Sequence, residues 1–554
     1  MLLLLYSLLW GAVVTSVIFL ATALPLTRAL RENWKSLVFI ILLTSVWRLP
    51  FDGHFFYGLE YEDSYIYPAA ARYLASNTPH TAPGMSRFLT TVCAVGSWSS
   101  CRNPETSSGH FIGYPFMIAV VAKIFGYSPT TASFISIAAS LIAVVFVFLV
   151  GKLLDPGGIS GVAGALVFSV TPAFAVQGGS TYAEPVSNML AIICLLMCLY
   201  LLSLSIGGSR SVIFITWLAL TLTALLAVVV KRENLVIVPT VWLIGTAFKV
   251  TENSDAPKTR LPSLAVLVTI CICVAFALNQ LRLLTVIRRE QAEYSLFPFS
   301  VHVWRTMIPI FLKGYLSLSW YFGSALLVLI AVLATVKSKR GYLYVVGLFA
   351  AYLLLYTSHV RSYYQLHGGA ITELGALRYS MNLAGLWSIM AGLGASTLVG
   401  FHRAGSGALG KPRTRRIMWV CLVGLIVCSW IVTDRLKEDM VANEAAVRLR
   451  PAEAALQEVQ RSGNPDTFII SAEPLLIQML AHDPVNVIDF KNLSTQLLKD
   501  LRVENSNATF FYLQEDIHSS HTDHERYRTS FDAVDDAHKT LLAHGDRYSI
   551  FEIL

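Results

Sequence analysis

Long apolar runs separated by short polar stretches fill the chain up to about residue 433. A bilayer core takes ~20 apolar residues to cross as a helix, and runs near that length recur at 2–26, 36–52, 131–151, 157–177, 186–205, 212–230, 234–248, 262–284, 308–336, 341–358, 380–400 and 417–433. The stretch 111–125 is also apolar, but it contains Gly113 and Pro115 and ends at Lys123. At roughly 14 residues it fits a juxtamembrane helix better than a span. From about Asp434 the pattern changes: strand-like runs at 467–471, 485–489, 509–513 and 548–554 alternate with helical stretches at 452–461, 474–481 and 533–543. The expected architecture is a multi-pass α-helical membrane protein with about 12 transmembrane helices in residues 1–433, a large first external loop at 53–130, and a C-terminal soluble α/β domain at 434–554. That domain is expected to pack against the external loops.

Composition agrees with the pattern. Of 554 residues, 55% are hydrophobic and 14% charged, and the mean hydropathy is +0.58; a soluble chain would carry about a quarter charged residues. The net charge of +7 does not point to nucleic acid, because the basic residues sit in short loops between apolar runs rather than on one surface. Their placement orients the spans instead. The first run has no basic residue ahead of it and is followed by Arg28, Arg31 and Lys35, the reverse of a secretory signal peptide, so it is expected to be retained with its start outside. Alternating from there, every cytoplasmic loop carries Lys or Arg, most densely at 337–340 and 403–416. The external face then holds 53–130, the loop before Glu184, Lys231 to Glu233, 285–307, 359–379 and the tail. Of eight cysteines, only Cys93 and Cys101 fall on that face. They are expected to form a disulfide.

The first external loop opens Gly58-Leu-Glu-Tyr-Glu-Asp-Ser-Tyr-Ile-Tyr-Pro-Ala-Ala-Ala-Arg-Tyr-Leu74, with Glu60, Glu62 and Asp63 directly after a span. A solvated loop end explains such acids as simply as chemistry does. The order acid, Tyr, Tyr, Ala-Ala-Ala-Arg, Leu, however, resembles the first-loop motif of the GT-C glycosyltransferases, in the branch of protein O-mannosyltransferases and lipid A aminoarabinose transferases. Registering Ala71-Arg72 on the family's small-residue helix puts Asp63 at the catalytic aspartate and Tyr67 at the aromatic. Ser64 stands where the family usually has Glu, and Glu62 precedes the aspartate, so Glu62 stays open as the base. His110-Phe-Ile-Gly-Tyr-Pro115 through Phe125-Gly126 resembles the family's short Pro-containing helix. Ser180-Thr-Tyr-Ala-Glu184-Pro185 resembles its second external acidic site, and Arg378-Tyr379 its Arg-Tyr element.

The resemblance implies an inverting glycosyltransferase that moves a sugar from a polyprenyl-phosphate donor to an acceptor hydroxyl on a glycan, lipid or protein, at the external face of a membrane, by default the bacterial inner membrane. The residues suit that chemistry. A carboxylate accepts the proton of the attacking hydroxyl, and guanidinium groups stabilise the departing phosphate. Arg378 and Arg232, each against the start of a span, are the foremost phosphate candidates, with Tyr379, Tyr67 and His110 beside them; for a single external Arg, snorkelling toward lipid headgroups is the simpler explanation. Carboxylates at Asp63 and Glu184 are hard ligands that suit Mg or Mn, so a divalent cation is an open alternative and no cofactor is required. A flippase or transporter of polyprenyl-linked sugars is the competing function. It would place ionisable residues in mid-span, and these runs have almost none.

Overall fold

The apolar runs fold as helices. The computed structural model describes residues 2–49, 57, 67–69, 71–72, 113–204, 209–251, 264–276, parts of 305–336, 342–358, 381–405 and, short gaps and 516–527 apart, 412–553. Asp63, Glu62, His110, Arg378, Tyr379, Cys93 and Cys101 lie outside the described residues. In chain order the first helices are α1 (Leu2–Thr22), α2 (Leu24–Arg48), α3 (Gly113–Phe125), α4 (Thr131–Leu154), α5 (Ser160–Val170), α6 (Pro172–Gln177), α7 (Glu184–Ser203) and α8 (Arg210–Val230). Then come α9 (Ile237–Thr251), α10 (Leu264–Phe276), α11 (Ser324–Val336), α12 (Tyr342–Ser358), α13 (Ala384–Gly405) and α14 (Pro412–Glu444). Among the described residues, four helices are long and apolar enough to cross a membrane, within α1, α4, α7 and α8. α7 is buried along nearly its whole length, whereas α1 turns Trp10, Val13, Val14 and Val17 outward.

Some boundaries differ from the hydropathy pattern for local reasons. The chain breaks at Ala23, ahead of Pro25, and α2 then runs straight through the basic stretch around Arg28 and Lys35. Arg28 and Glu32 pair at 3.0 Å one turn apart on that exposed surface, a spacing that supports a helix outside lipid. The short α3 is 13 residues long, against the roughly 14 expected for that apolar stretch. α14 continues past residue 433 to Glu444, joins a π-helical turn, Ala445–Leu449, and runs into α15 (Arg450–Ser462), so α14 and the tail share a continuous helical path.

The break between α5 and α6 shows how the helices are held. Pro172 has no N–H, so it cannot donate to the carbonyl of Phe168 four residues back, and a bare carbonyl away from water costs several kcal/mol, by order of magnitude. Arg48, at the end of α2 and 2% exposed, fills the gap: Nη2 donates to Phe168 O at 3.3 Å and Nη1 to Ser169 O at 3.5 Å. Thr171 caps Val167 O through its N–H and hydroxyl, and Ser429 on α14 donates to Val170 O. The whole end of α5 is thereby satisfied. Gly178 is a consequence, because a Cβ there would lie 2.5 Å from the Arg48 Nε. Elsewhere α5 approaches its neighbours on glycines: a Cβ on Gly392 of α13 would meet Ser160 O at 2.3 Å and Gly164 N at 2.7 Å. Small residues of this kind let helix backbones touch in lipid, where no hydrophobic force drives helices together.

The tail forms a five-stranded sheet from β1 (Thr467–Ser471), β2 (Asn486–Asp489), β3 (Thr509–Glu515), β4 (Lys539–Gly545) and β5 (Tyr548–Ile553), in the order β2-β1-β3-β5-β4. β1 pairs in parallel with β2 and β3, and β5 runs antiparallel to β3 and β4. Side chains alternate between two cores: Ile469, Phe511 and Leu513 face α15 and α16 (Pro474–Leu480), while Phe468, Ile470, Phe510 and Tyr512 share the other core with α17 (Thr495–Glu504) and α18 (Arg528–Asp535). The helical stretch expected at 533–543 is not one element. α18 ends at Asp535, and 539–545 is β4, an edge strand made by its pairing with β5 rather than by its own propensity.

Arg48→Met leaves the Phe168 and Ser169 carbonyls without their donor. In detergent-solubilised protein it is expected to lower the thermal unfolding midpoint, for a loss of roughly 2–4 kcal/mol. An unchanged midpoint would show that water or lipid satisfies the break instead.

Candidate active site

Glu184 is the first residue of α7, and its carboxylate sits at the positive end of that helix. Lys231 follows the last residue of α8, at the negative end of a neighbouring helix. The two meet: Lys231 Nζ lies 2.8 Å from Glu184 Oε1, with side-chain exposures of 12% and 1%. Each charge is thus favoured by the dipole of its own helix and by the other.

Aromatic residues pack beside this pair. A Cβ on Gly113, at the start of α3, would lie 2.7 Å from the carbonyl of Val229, so α3 begins against the end of α8 that presents Lys231. Its next residue, Tyr114, is fully buried and shares its hydroxyl with Ser136 Oγ at 3.2 Å and Ala132 O at 3.3 Å. Tyr114 is near enough to Glu184 for the two to interact electrostatically. Tyr67 meets Tyr114 edge to face, with ring centroids 5.3 Å apart. The described residues around it, 67–69 and 71–72, are helical, in line with the small-residue helix expected there.

A second polar layer fixes these helix ends. After Lys231 the chain forms a 3-10 helix, Arg232–Val236, which carries Asn234. Asn234 donates to Ser187 Oγ and Ala227 O, each at 2.9 Å, and accepts from the Tyr352 hydroxyl of α12 at 2.7 Å. On α7, Asn188 accepts the N–H of Gly385 at 2.9 Å, supplying a partner to one of the first N–H groups of α13, which have none inside the helix. That helix begins six residues after Arg378.

Of the residues singled out from sequence, Tyr67 and Glu184 come to one end of the helix bundle, linked through Tyr114. Arg232 is placed by its backbone in the turn directly after Lys231, and its side chain is outside the described residues. Among the described residues no group of three His, Cys, Asp or Glu side chains forms a metal cluster. Lys231, Tyr114 and Asn234 did not emerge from the sequence as site residues. The signal for Lys231 was its place, a lysine between two apolar runs on the same face as Glu184.

Lys231→Met leaves the Glu184 carboxylate buried beside an apolar side chain. The expected loss is roughly 3–5 kcal/mol of stability, read as a lower thermal midpoint, because a buried carboxylate loses its ammonium partner. The double variant Glu184→Gln/Lys231→Met should recover part of it; equal losses in single and double variants would show that the pair is not coupled.

No protein-family model matches the chain, and no curated protein sequence matches it. Solved structures do. ArnT from Cupriavidus metallidurans bound to undecaprenyl phosphate aligns over 94% of this chain and 98% of its own, with a TM-score of 0.56 at 12% identity. The apo state of that ArnT aligns over 97% of each chain, with a TM-score of 0.54 at 13% identity. The Archaeoglobus fulgidus oligosaccharyltransferase, tethered to an acceptor peptide, aligns over 93% of this chain and 73% of its own, with a TM-score of 0.54 at 12% identity. The chain therefore has the fold of the GT-C glycosyltransferases.

Proposed function

We propose that this chain is an inverting glycosyltransferase that moves a sugar from a polyprenyl-phosphate donor to an acceptor hydroxyl. The observation that carries the reading is the GT-C fold across nearly the whole chain, with Glu184 and Lys231 paired where α7 begins and α8 ends, and Tyr67 packed on Tyr114 at the start of α3. Two of the aligned structures supply the substrate classes: one holds undecaprenyl phosphate and another an acceptor peptide.

In this reading Asp63 takes the acceptor's proton as its oxygen attacks the anomeric carbon, with Glu62 as the alternative base. The carbon-to-phosphate-oxygen bond breaks, and its electrons leave on polyprenyl phosphate. Arg378, with Arg232, meets that developing charge through paired N–H groups, and Lys231 adds a further cation held in place by Glu184. Tyr67, Tyr379 and His110 line the donor side. The acceptor is a glycan, lipid or protein. The site faces the side opposite the Lys- and Arg-rich loops, the periplasmic side of a bacterial inner membrane, with twelve spans and the α/β domain in solvent above them.

The test is incubation of the purified protein with a labelled polyprenyl-phosphate sugar, measuring release of polyprenyl phosphate. Asp63→Asn should cut turnover on the order of 100-fold with donor binding retained. If Asp63→Asn stays active and Glu62→Gln abolishes turnover, Glu62 is the base; if both stay active, the first-loop acids are a solvated loop end. Arg378→Lys keeps the charge and loses the two-pronged hydrogen bonding, so the Michaelis constant for the donor should rise by about tenfold. Unchanged donor dependence would assign the phosphate to Arg232.

A further inference from the structure

The first and second acid-bearing loops meet at one residue. Tyr57 precedes Asp63 by six residues, and Thr181 precedes Glu184 by three. The Tyr57 carbonyl accepts both the Thr181 N–H at 3.1 Å and the Thr181 hydroxyl at 2.9 Å. The Tyr57 N–H turns the other way and donates to Glu444 Oε2 at 2.8 Å. Glu444 is buried, at the last residue of α14, where the helix widens into the π turn before α15. Such turns are often found at functional sites. The next links lead into the α/β domain: Arg448 in the π turn pairs with Glu473 at 3.0 Å, and the Tyr57 ring packs against the core of α15, α16 and the sheet.

Beyond the acids the first loop is tied to the same domain again. Arg72 donates to the carbonyls of Gln478 at 2.8 Å and Ala481 at 2.5 Å, at the negative end of α16, and lies over the Tyr127 ring at 5.3 Å. Tyr127 donates its hydroxyl to Met479 O at 3.1 Å. The segment 58–66, which holds Glu60, Glu62 and Asp63, is therefore bounded on both sides by residues anchored to the α/β domain. A carboxylate that accepts a backbone N–H away from solvent makes a strong, directional bond. Burial, and then the negative charges of Glu444 and Glu453, push the Tyr57 hydroxyl up to about 12, so the ring stays neutral in this surround.

We propose that Glu444 is a positioning residue for the transfer: by holding Tyr57 against Thr181 it sets the two acid-bearing loops relative to each other, and through the π turn it makes their placement depend on the α/β domain. The proposal rests on the glycosyl-transfer reading for its kinetic consequence. Its structural consequence can be measured without it.

The test uses the full-length protein with Glu444→Leu, Glu444→Gln and Thr181→Val. Gln keeps an oxygen able to accept the Tyr57 N–H, whereas Leu does not. Glu444→Leu should lower kcat about tenfold or more with the donor KM within about twofold, because misplacement of about 1 Å weakens the chemical step more than binding. Glu444→Gln should stay within about threefold of the parent, and Thr181→Val should fall between the two. Independently, hydrogen exchange of peptides spanning 53–60 and 178–183 should quicken in Glu444→Leu while peptides from α4 and α7 keep their protection. Unchanged exchange together with unchanged kcat in Glu444→Leu would overturn the proposal. So would a Glu444→Gln variant as inactive as Leu, since the carboxylate would then be doing chemistry. A parent protein that releases no polyprenyl phosphate would sink the functional reading and leave the exchange measurement to decide the positioning. If Glu444→Leu fails to fold, Thr181→Val and Glu444→Gln carry the comparison: a Thr181→Val variant with parental kcat and exchange would overturn it.

Discussion

Inside a bilayer a carbonyl without a donor has no water to fall back on, and at the end of α5 a proline has removed that donor. The chain needs a replacement at Phe168, finds it in Arg48 from another helix, and must then keep space for a guanidinium. That space and the Phe174 carbonyl, 2.7 Å from where a Cβ would lie, leave no room for a side chain at Gly178. The break also turns the chain from α5 into the six-residue α6 and on to the loop that ends at Glu184. One missing N–H thus links the end of α2, where the long loop after it begins, to the approach to α7, since Arg48 is the last residue of α2.

The Glu184–Lys231 pair obeys the same constraint for charge. Moving two ions out of water costs several kcal/mol each, by order of magnitude, and a good contact only roughly returns it. What shifts the balance here is location. The acid heads one helix and the lysine ends its neighbour, and a charge at its favourable helix end gains about 0.3–2 kcal/mol. A pair supported this way gives little net stability, yet it fixes a lysine ammonium against the carboxylate that opens α7. Fixed charge in a partly dry site is what a departing phosphate needs.

How much of this was legible in the sequence depended on whether the signal was local. α3 could be read as too short to cross because its glycine, proline and lysine lie within one run. β1, β3 and β5 could be read because their large apolar side chains fill both faces of a buried sheet. Glu184 stood out because the local run Ser180-Thr-Tyr-Ala-Glu184-Pro185 resembles the second acidic site of the GT-C glycosyltransferases. Lys231 as its partner did not, since the two are 47 residues apart and only packing brings them together. β4 was missed for the same reason: its leucines are exposed on an edge, and the strand exists through its pairing with β5. Arg48 was hidden inside an apolar run, where an arginine reads as an end of span rather than as the donor for a proline-broken helix 120 residues later.

Four polar side chains of the bundle serve helix ends, and this bears on what the fold can do. Asn188 serves the first turn of α13, Asn234 bridges the end of α8 to α7 and α12, and Glu184 and Lys231 pair across two helix ends. A carrier that moves a charged headgroup through the bilayer needs ionisable groups along its path, at depths where each costs several kcal/mol by order of magnitude. A transferase needs them only where the donor's phosphate lies, at the level of the headgroups, because the lipid tail stays in the membrane throughout. Among the described residues, Glu184 and Lys231 sit at helix ends, a placement that suits the second case. In the transferase reading the lipid tail needs only apolar surface, so the demands of the chemistry would fall on the few charged residues at helix ends.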